Sequence, residues 1–120
     1  METITQKISL DFSTNYPVKR VHVKQGETYE ARKIEVWLYN NGELYTHDDD
    51  SVTFFGKLEG AETAYSVGCA ISTRYVQIPV LIGMTAIAGV MHCELKITGD
   101  SQILKTPTFD IVIEPSISGT

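Results

Sequence analysis

The sequence predicts an all-β chain folded as an antiparallel two-sheet β-sandwich, and three observations lead there. Apolar and polar residues alternate with period two along nearly the whole length, as half-buried strands require. Gly, Asn, Asp and Pro interrupt that alternation at roughly 8 to 12 residue intervals, the spacing of turns in sandwiches. Helical periodicity is nearly absent. Seven or eight short strands of this kind fit two packed sheets better than a barrel or a βαβ unit.

Ile4, Ile8 and Leu10 mark a first strand ending near Asn15-Tyr16-Pro17, and Val18, Val21 and Val23 mark a second that runs to Gln25-Gly26. Gly26 is expected to take a turn conformation that other residues resist. The clearest strand is Lys33 to Asn40, where Ile34, Val36 and Leu38 alternate with Glu35, Trp37 and Tyr39. The Asn40-Asn41-Gly42 turn after it predicts a hairpin to Leu44 and Tyr45.

Beyond the polar His47 to Ser51 loop, Val52-Thr53-Phe54-Phe55 reads as a strand and Glu59-Gly60 as its turn. Tyr65 with Val67, and Tyr75 with Val76 and Ile78, give two more. Leu81, Met84 and Ile87 recur at threes, so Pro79 to Ala88 is the one place for a short helix or 3₁₀ turn, with Pro79 able to begin it. Gly89 restarts the β pattern: Met91, Cys93, Leu95 and Ile97 face one way, and His92, Glu94 and Lys96 the other. Gly99-Asp100 turns the chain toward Ile103 and Leu104, then a last strand, Phe109 to Ile113, closed by Glu114-Pro115. The inward set is Ile34, Val36, Leu38, Val52, Phe54, Val67, Ile78, Met91, Cys93, Leu95, Ile97, Phe109, Ile111 and Ile113.

At 120 residues the chain has the length of one domain, expected over 1–115, with 116–120 as a tail or the start of a linker. Hydrophobic residues at 42% and charged ones at 21% are near the globular average, which argues against a disordered chain. The net charge of −5 would repel a polyanion and the basic residues are scattered, so nucleic acid is not an expected partner. The longest apolar stretch, Val76 to Met91, is broken by Gln77, Pro79, Gly83, Thr85 and Gly89 and falls short of the ~20 residues that span a bilayer, so membrane insertion is not expected. The start, Met1-Glu2-Thr3-Ile4-Thr5, has no basic segment followed by an apolar one, which predicts synthesis without a secretion signal.

Residues that could carry chemistry are few. Ala64-Tyr65-Ser66-Val67-Gly68 approaches the nucleophile-elbow pattern but lacks its first glycine and lies in a strand-like run, so Ser66 reads as a strand serine. His47-Asp48-Asp49-Asp50 offers oxygens to a hard cation, yet Val52 and Thr53 stand where a calcium loop needs an oxygen ligand and a glycine. A solvated loop is the better reading. His22, His47 and His92 show no metal-ligand spacing and read as surface histidines. Cys69 and Cys93 lack any CxxC pattern and read as small core residues, with a bridge between them left open. No cofactor and no catalytic residue is expected.

The feature that points to binding is the outward face of the clearest strand. Trp37 and Tyr39 point away from the core, Phe55 is expected to line up with them, and exposed sheet aromatics anchor protein partners or stacked sugars.

Read end to end, the chain resembles the N-terminal domain of phage baseplate upper proteins. The resemblance rests on Lys7-Ile8-Ser9-Leu10-Asp11, Gln25-Gly26-Glu27-Thr28, Ile34-Glu35-Val36-Trp37-Leu38, Asn41-Gly42-Glu43, Val52-Thr53-Phe54-Phe55-Gly56-Lys57, Gly89, and Thr106-Pro107-Thr108-Phe109 running into Ile111-Val112-Ile113-Glu114-Pro115-Ser116-Ile117. It covers nearly all of the chain, through the order and spacing of these pieces. It implies an immunoglobulin-like sandwich without catalytic residues, located in the tail or baseplate of a bacteriophage or prophage virion after synthesis in the host cytoplasm. Such a module docks onto other tail proteins, or onto copies of itself, and positions the receptor-binding apparatus. Members often continue into further domains, and this chain stops at Thr120. The alternative is a carbohydrate-binding or adhesin-like module, in which Trp37 or Tyr75 would line a groove with Asn40 or Gln77.

Overall fold

The computed structural model describes residues 3–14, 18–28, 31–46, 51–72 and 74–118. The Asn15-Tyr16-Pro17 turn and the His47 to Asp50 loop lie outside the described residues. Among the described residues eleven strands and one helical turn follow in order: β1 Ile4–Asp11, β2 Arg20–Lys24, β3 Arg32–Asn40, β4 Glu43–Leu44, β5 Ser51–Leu58, β6 Tyr65–Gly68, β7 Ala70–Ile71, β8 Val76–Pro79, α1 Ile82–Thr85, β9 Gly89–Thr98, β10 Ile103–Lys105 and β11 Phe109–Glu114.

The strands form two sheets packed as a sandwich. The first has the order β1-β3-β8-β7, with β4 added to β3, and the second the order β2-β11-β9-β5-β6, with β10 added to β9. The predicted all-β two-sheet sandwich is what the chain forms. The inner ladders are antiparallel, but two edges are not: β1 runs parallel to β3 and β2 parallel to β11. Parallel neighbours need a crossover connection, and here β2 supplies one by visiting the second sheet between β1 and β3. Sequence alternation reports which face a residue takes, not the direction of its neighbour.

The core lies between the sheets. Ile8, Leu10, Ile34, Val36, Leu38, Val76 and Ile78 come from the first sheet, and Val21, Val23, Val52, Phe54, Met91, Cys93, Leu95, Ile97, Phe109, Ile111 and Ile113 from the second. Every residue of the predicted inward set is buried except Val67, which packs partly exposed near the edge on β6. Phe54 and Phe109 meet at the centre with ring centroids 6.4 Å apart.

The expected helix is a single turn, and Pro79 ends β8 rather than starting it. Of the three residues spaced by threes, only Met84 is buried; Leu81 and Ile87 are exposed. The hairpin at Asn41-Gly42 has φ of +53° and +83° with Asn40 paired to Glu43, the two-residue turn that this dipeptide favours. Cys69 and Cys93 are free thiols. Burial pushes the Cys69 thiol up to about 12 and raises that of Cys93 as well, so both are unreactive packing groups.

Candidate interaction surfaces

The pieces that carry the sequence resemblance are fasteners of the fold. Gln25-Gly26-Glu27 joins three segments at one end of the sandwich. Gln25 Nε2 donates to the Ala86 carbonyl at 2.9 Å, and Gln25 Oε1 accepts from the Ser116 amide at 3.4 Å. The Gly26 amide donates to Thr85 O, and the fully buried Thr85 hydroxyl donates to Glu27 O at 2.8 Å. Glu27 takes a bidentate grip on Arg32 and accepts from the Lys24 amide. Burial raises the Glu27 carboxyl's pKa, and the Arg32 and Lys24 hydrogen bonds outweigh that, leaving it below the ordinary value.

At the other end, the Asp11 carboxylate accepts from the Ser13 hydroxyl and amide and from the amides of Asn41 and Gly42, tying β1 to the β3–β4 turn. Gly56 leaves room for Met91, since a Cβ there would stand 2.4 Å from the Met91 sulfur. Thr106 pairs with Leu95 in both directions, its amide donating to Leu95 O and its hydroxyl accepting from the Leu95 amide.

Trp37 and Tyr39 lie on the outer face of the first sheet, opposite Ser9 and Asp11 of β1. Phe55 does not join them. It lies on β5 in the second sheet, paired with Ser66 and Glu94, and so on the opposite outer face. Alternation gives both outer faces the same signature, and only long-range pairing assigns a strand to a sheet. All three aromatics are half-buried. Trp37 stacks on Tyr75 at 5.4 Å and 30°, so each ring already spends one face on the other, and Trp37 Nε1 is buried without a partner. Ser66 is exposed on β6, and its cross-strand row runs through Phe55 to Glu94 rather than to an imidazole.

The strongly exposed apolar side chains are at the ends. Among the described residues, nine large hydrophobics are exposed, and none of them lies on the outer face of a central strand. At the end held by Gln25 stand Ile4, Leu81, Ile82, Ile87 and Ile117, the last four within or beside the segments that Gln25 bridges. Ile82 and Ile87 are 58% and 65% exposed. A shallow depression of ≈310 Å³ lined by Gly68, Ala70, Gln77, Pro79 and Leu81 adjoins this end.

At the opposite end Leu44, Ile103 and Leu104 are exposed, and Val18 precedes β2 on the same half. Two depressions open there. One, ≈390 Å³, is lined by Tyr45, Ile97, Gly99, Gln102, Ile103 and Leu104, and the other, ≈340 Å³, includes Phe12, Lys105 and Pro107. The sequence reading named Trp37, Tyr39 and Phe55 for binding and did not name the exposed apolar residues at the two ends. One signal was available: residues 75–91 contain no charged side chain, more than a four-residue helical turn needs.

Among the described residues no three His, Cys, Asp or Glu side chains gather to hold a metal ion, and no helix is long and apolar enough to cross a membrane. No protein-family model matches the chain, and no curated protein matches it. Among solved structures it is similar to the N-terminal domain of phage TP901-1 ORF48, with a TM-score of 0.68 over 93% of this chain and 99% of that one. Identity between them is 10%, so the two share a fold.

Proposed function

We propose that this domain is a non-enzymatic structural module of a bacteriophage or prophage tail, and that it is held by neighbouring tail proteins at its two ends. The observation that carries the reading is the partition of exposed apolar side chains: among the described residues they crown both ends of the sandwich and are absent from the outer faces of its central strands. An assembly module gains affinity by burying such groups. The fold shared with a phage domain and the ordered QGE, NGE, TFFGK and TPTFDIVIEPSI pieces support the phage assignment. Docking in the baseplate would position the receptor-binding apparatus.

The test is light scattering of the domain alone and mixed with the tail proteins encoded beside it. Paired variants Ile82→Ser with Ile87→Ser, and Ile103→Ser with Leu104→Ser, replace exposed groups and are expected to leave folding nearly unchanged. Each pair should weaken its complex about tenfold or more, as loss of interface anchors does. Trp37→Ala should bind like the parent. If Trp37→Ala alone abolishes binding while both end variants retain it, the docking surface is the first sheet; if the parent ignores tail proteins but binds cell-wall polysaccharide, the module is an adhesin.

A further inference from the structure

On the outer face of the second sheet, four strands bring ionisable side chains into one row. Cross-strand pairing aligns Lys57 of β5 with His92 of β9, His92 with Asp110 of β11, and Asp110 with Arg20 of β2. His92 Nδ1 lies 2.8 Å from Asp110 Oδ1, and Arg20 Nη2 lies 3.7 Å from the other oxygen of that carboxylate. The second imidazole nitrogen, Nε2, lies 3.1 Å from Glu59 Oε1, in the turn that follows β5. Asp110 is only 10% exposed while Glu59 is 65% exposed, so one partner is fixed and the other is free to leave.

An imidazolium has two N–H donors and reaches both carboxylates; a neutral imidazole has one. Held by the buried Asp110, the neutral ring keeps its proton on Nδ1 and turns the Nε2 lone pair toward the Glu59 carboxylate, which repels it. Lys57 opposite and Glu94 two residues along β9 are the other charged groups on this face beside the ring; His22 lies one row further, next to Val112.

We propose that His92 is a proton-operated clasp that fastens the Glu59-Gly60 turn to the second sheet when the ring is charged and releases it when the ring is neutral. What the clasp holds is next to the apolar end. The Glu59 amide donates to Val90 O, and Leu58 lies against Gly89, where the chain returns from Ile82 and Ile87 into β9. The Asp110 hydrogen bond, then the Glu59 hydrogen bond, hold the imidazole above its ordinary 6.5. For a group raised in the folded state, the contribution is complete below the unfolded value and lost as pH rises through the folded one. The clasp is therefore closed below the ordinary imidazole value of 6.5 and opens as pH rises through the raised folded value.

The experiment is an NMR titration of the His92 ring together with hydrogen exchange of the Glu59 and Gly60 amides, corrected for intrinsic rates, at pH 5.5 and 8. His92 should titrate above 6.5, and Glu59→Gln should lower that midpoint. Protection of the turn should be about two- to fivefold higher at the lower pH, the size expected for an exposed ion pair, and His92→Gln should remove the difference. Because Glu59 is exposed, its variant keeps the fold. A His92 midpoint at or below 6.5, or a protection ratio unchanged by His92→Gln, overturns the proposal.

Discussion

The two ends of the sandwich expose similar apolar groups but are fastened differently. At the Gln25 end, the fastening is internal: the Thr85 hydroxyl is fully buried and spans from α1 to the β2–β3 connection, and Glu27 and Arg32 are mostly shielded. At the Asn41 end, the fastening is a carboxylate in solvent, Asp11, gathering amides and a hydroxyl around itself. Buried hydrogen bonds are costly to break because the orphaned partner stays dry, whereas exposed ones are replaced by water. The first end is built to hold its shape as a unit; the second can yield locally.

The largest expected effect follows from that contrast. Thr85→Val keeps the shape of the side chain and removes the donor to Glu27 O, leaving a part-buried carbonyl unpaired, so it should cost about 1–3 kcal/mol in urea unfolding. Exchange of the Gly26 amide, which donates to Thr85 O, should accelerate with it. A stability loss below that of Asp11→Asn would break the comparison. An effect of similar size tests the packing between the ends: Gly56→Ala must displace Met91 and Phe54, and should cost about 1–3 kcal/mol with a rearranged Met91 methyl resonance.

The face each strand residue takes was legible because burial imposes period two, and Ile34 to Leu38 or Met91 to Ile97 obey it throughout. Turn chemistry was legible at Asn41-Gly42 and Gly26, where positive φ selects the residue. The parallel edges, the placement of Phe55 opposite Trp37, and the row Lys57-His92-Asp110-Arg20 were not. Each depends on which strands pair and in what register, which is settled by packing between segments up to ninety residues apart, as in the pairing of Arg20 with Asp110. Asp110 illustrates the limit: within Phe109 to Ile113 it reads as a solvent-facing acid, yet strands on both sides enclose it. The resemblance pieces were readable as a pattern, and the structure supplies their reason, since Gly26, Gly42 and Thr106 each close a junction and Gly56 makes room for Met91. That reason is conformational, which is why the pieces speak to the fold more directly than to a binding partner.

The smallest expected effect is at Asp11, and its pH dependence sharpens the contrast between the ends. Hydrogen bonds from the Ser13 side chain, the Ser13 amide and the Gly42 amide, with the Asn41 amide adding to them, hold the carboxyl at about 2 instead of the usual 3.8. A carboxyl lowered by folding stabilises the native state above its unfolded value, and that contribution disappears as pH falls through the folded one. Stability of the parent should therefore drop between about pH 4 and pH 2 in part through this residue. Asp11→Asn should flatten that limb of the curve and lower neutral-pH stability by the amount the limb carried, a smaller loss than that of Thr85→Val because the carboxylate is in solvent and water takes over the freed amides. The Asn41 and Gly42 amides should lose exchange protection in the variant, and the Gly26 amide at the other end should not. If Gly26 loosened as well, the two fastenings would be coupled through β3, and the ends would respond to a partner as one body rather than separately.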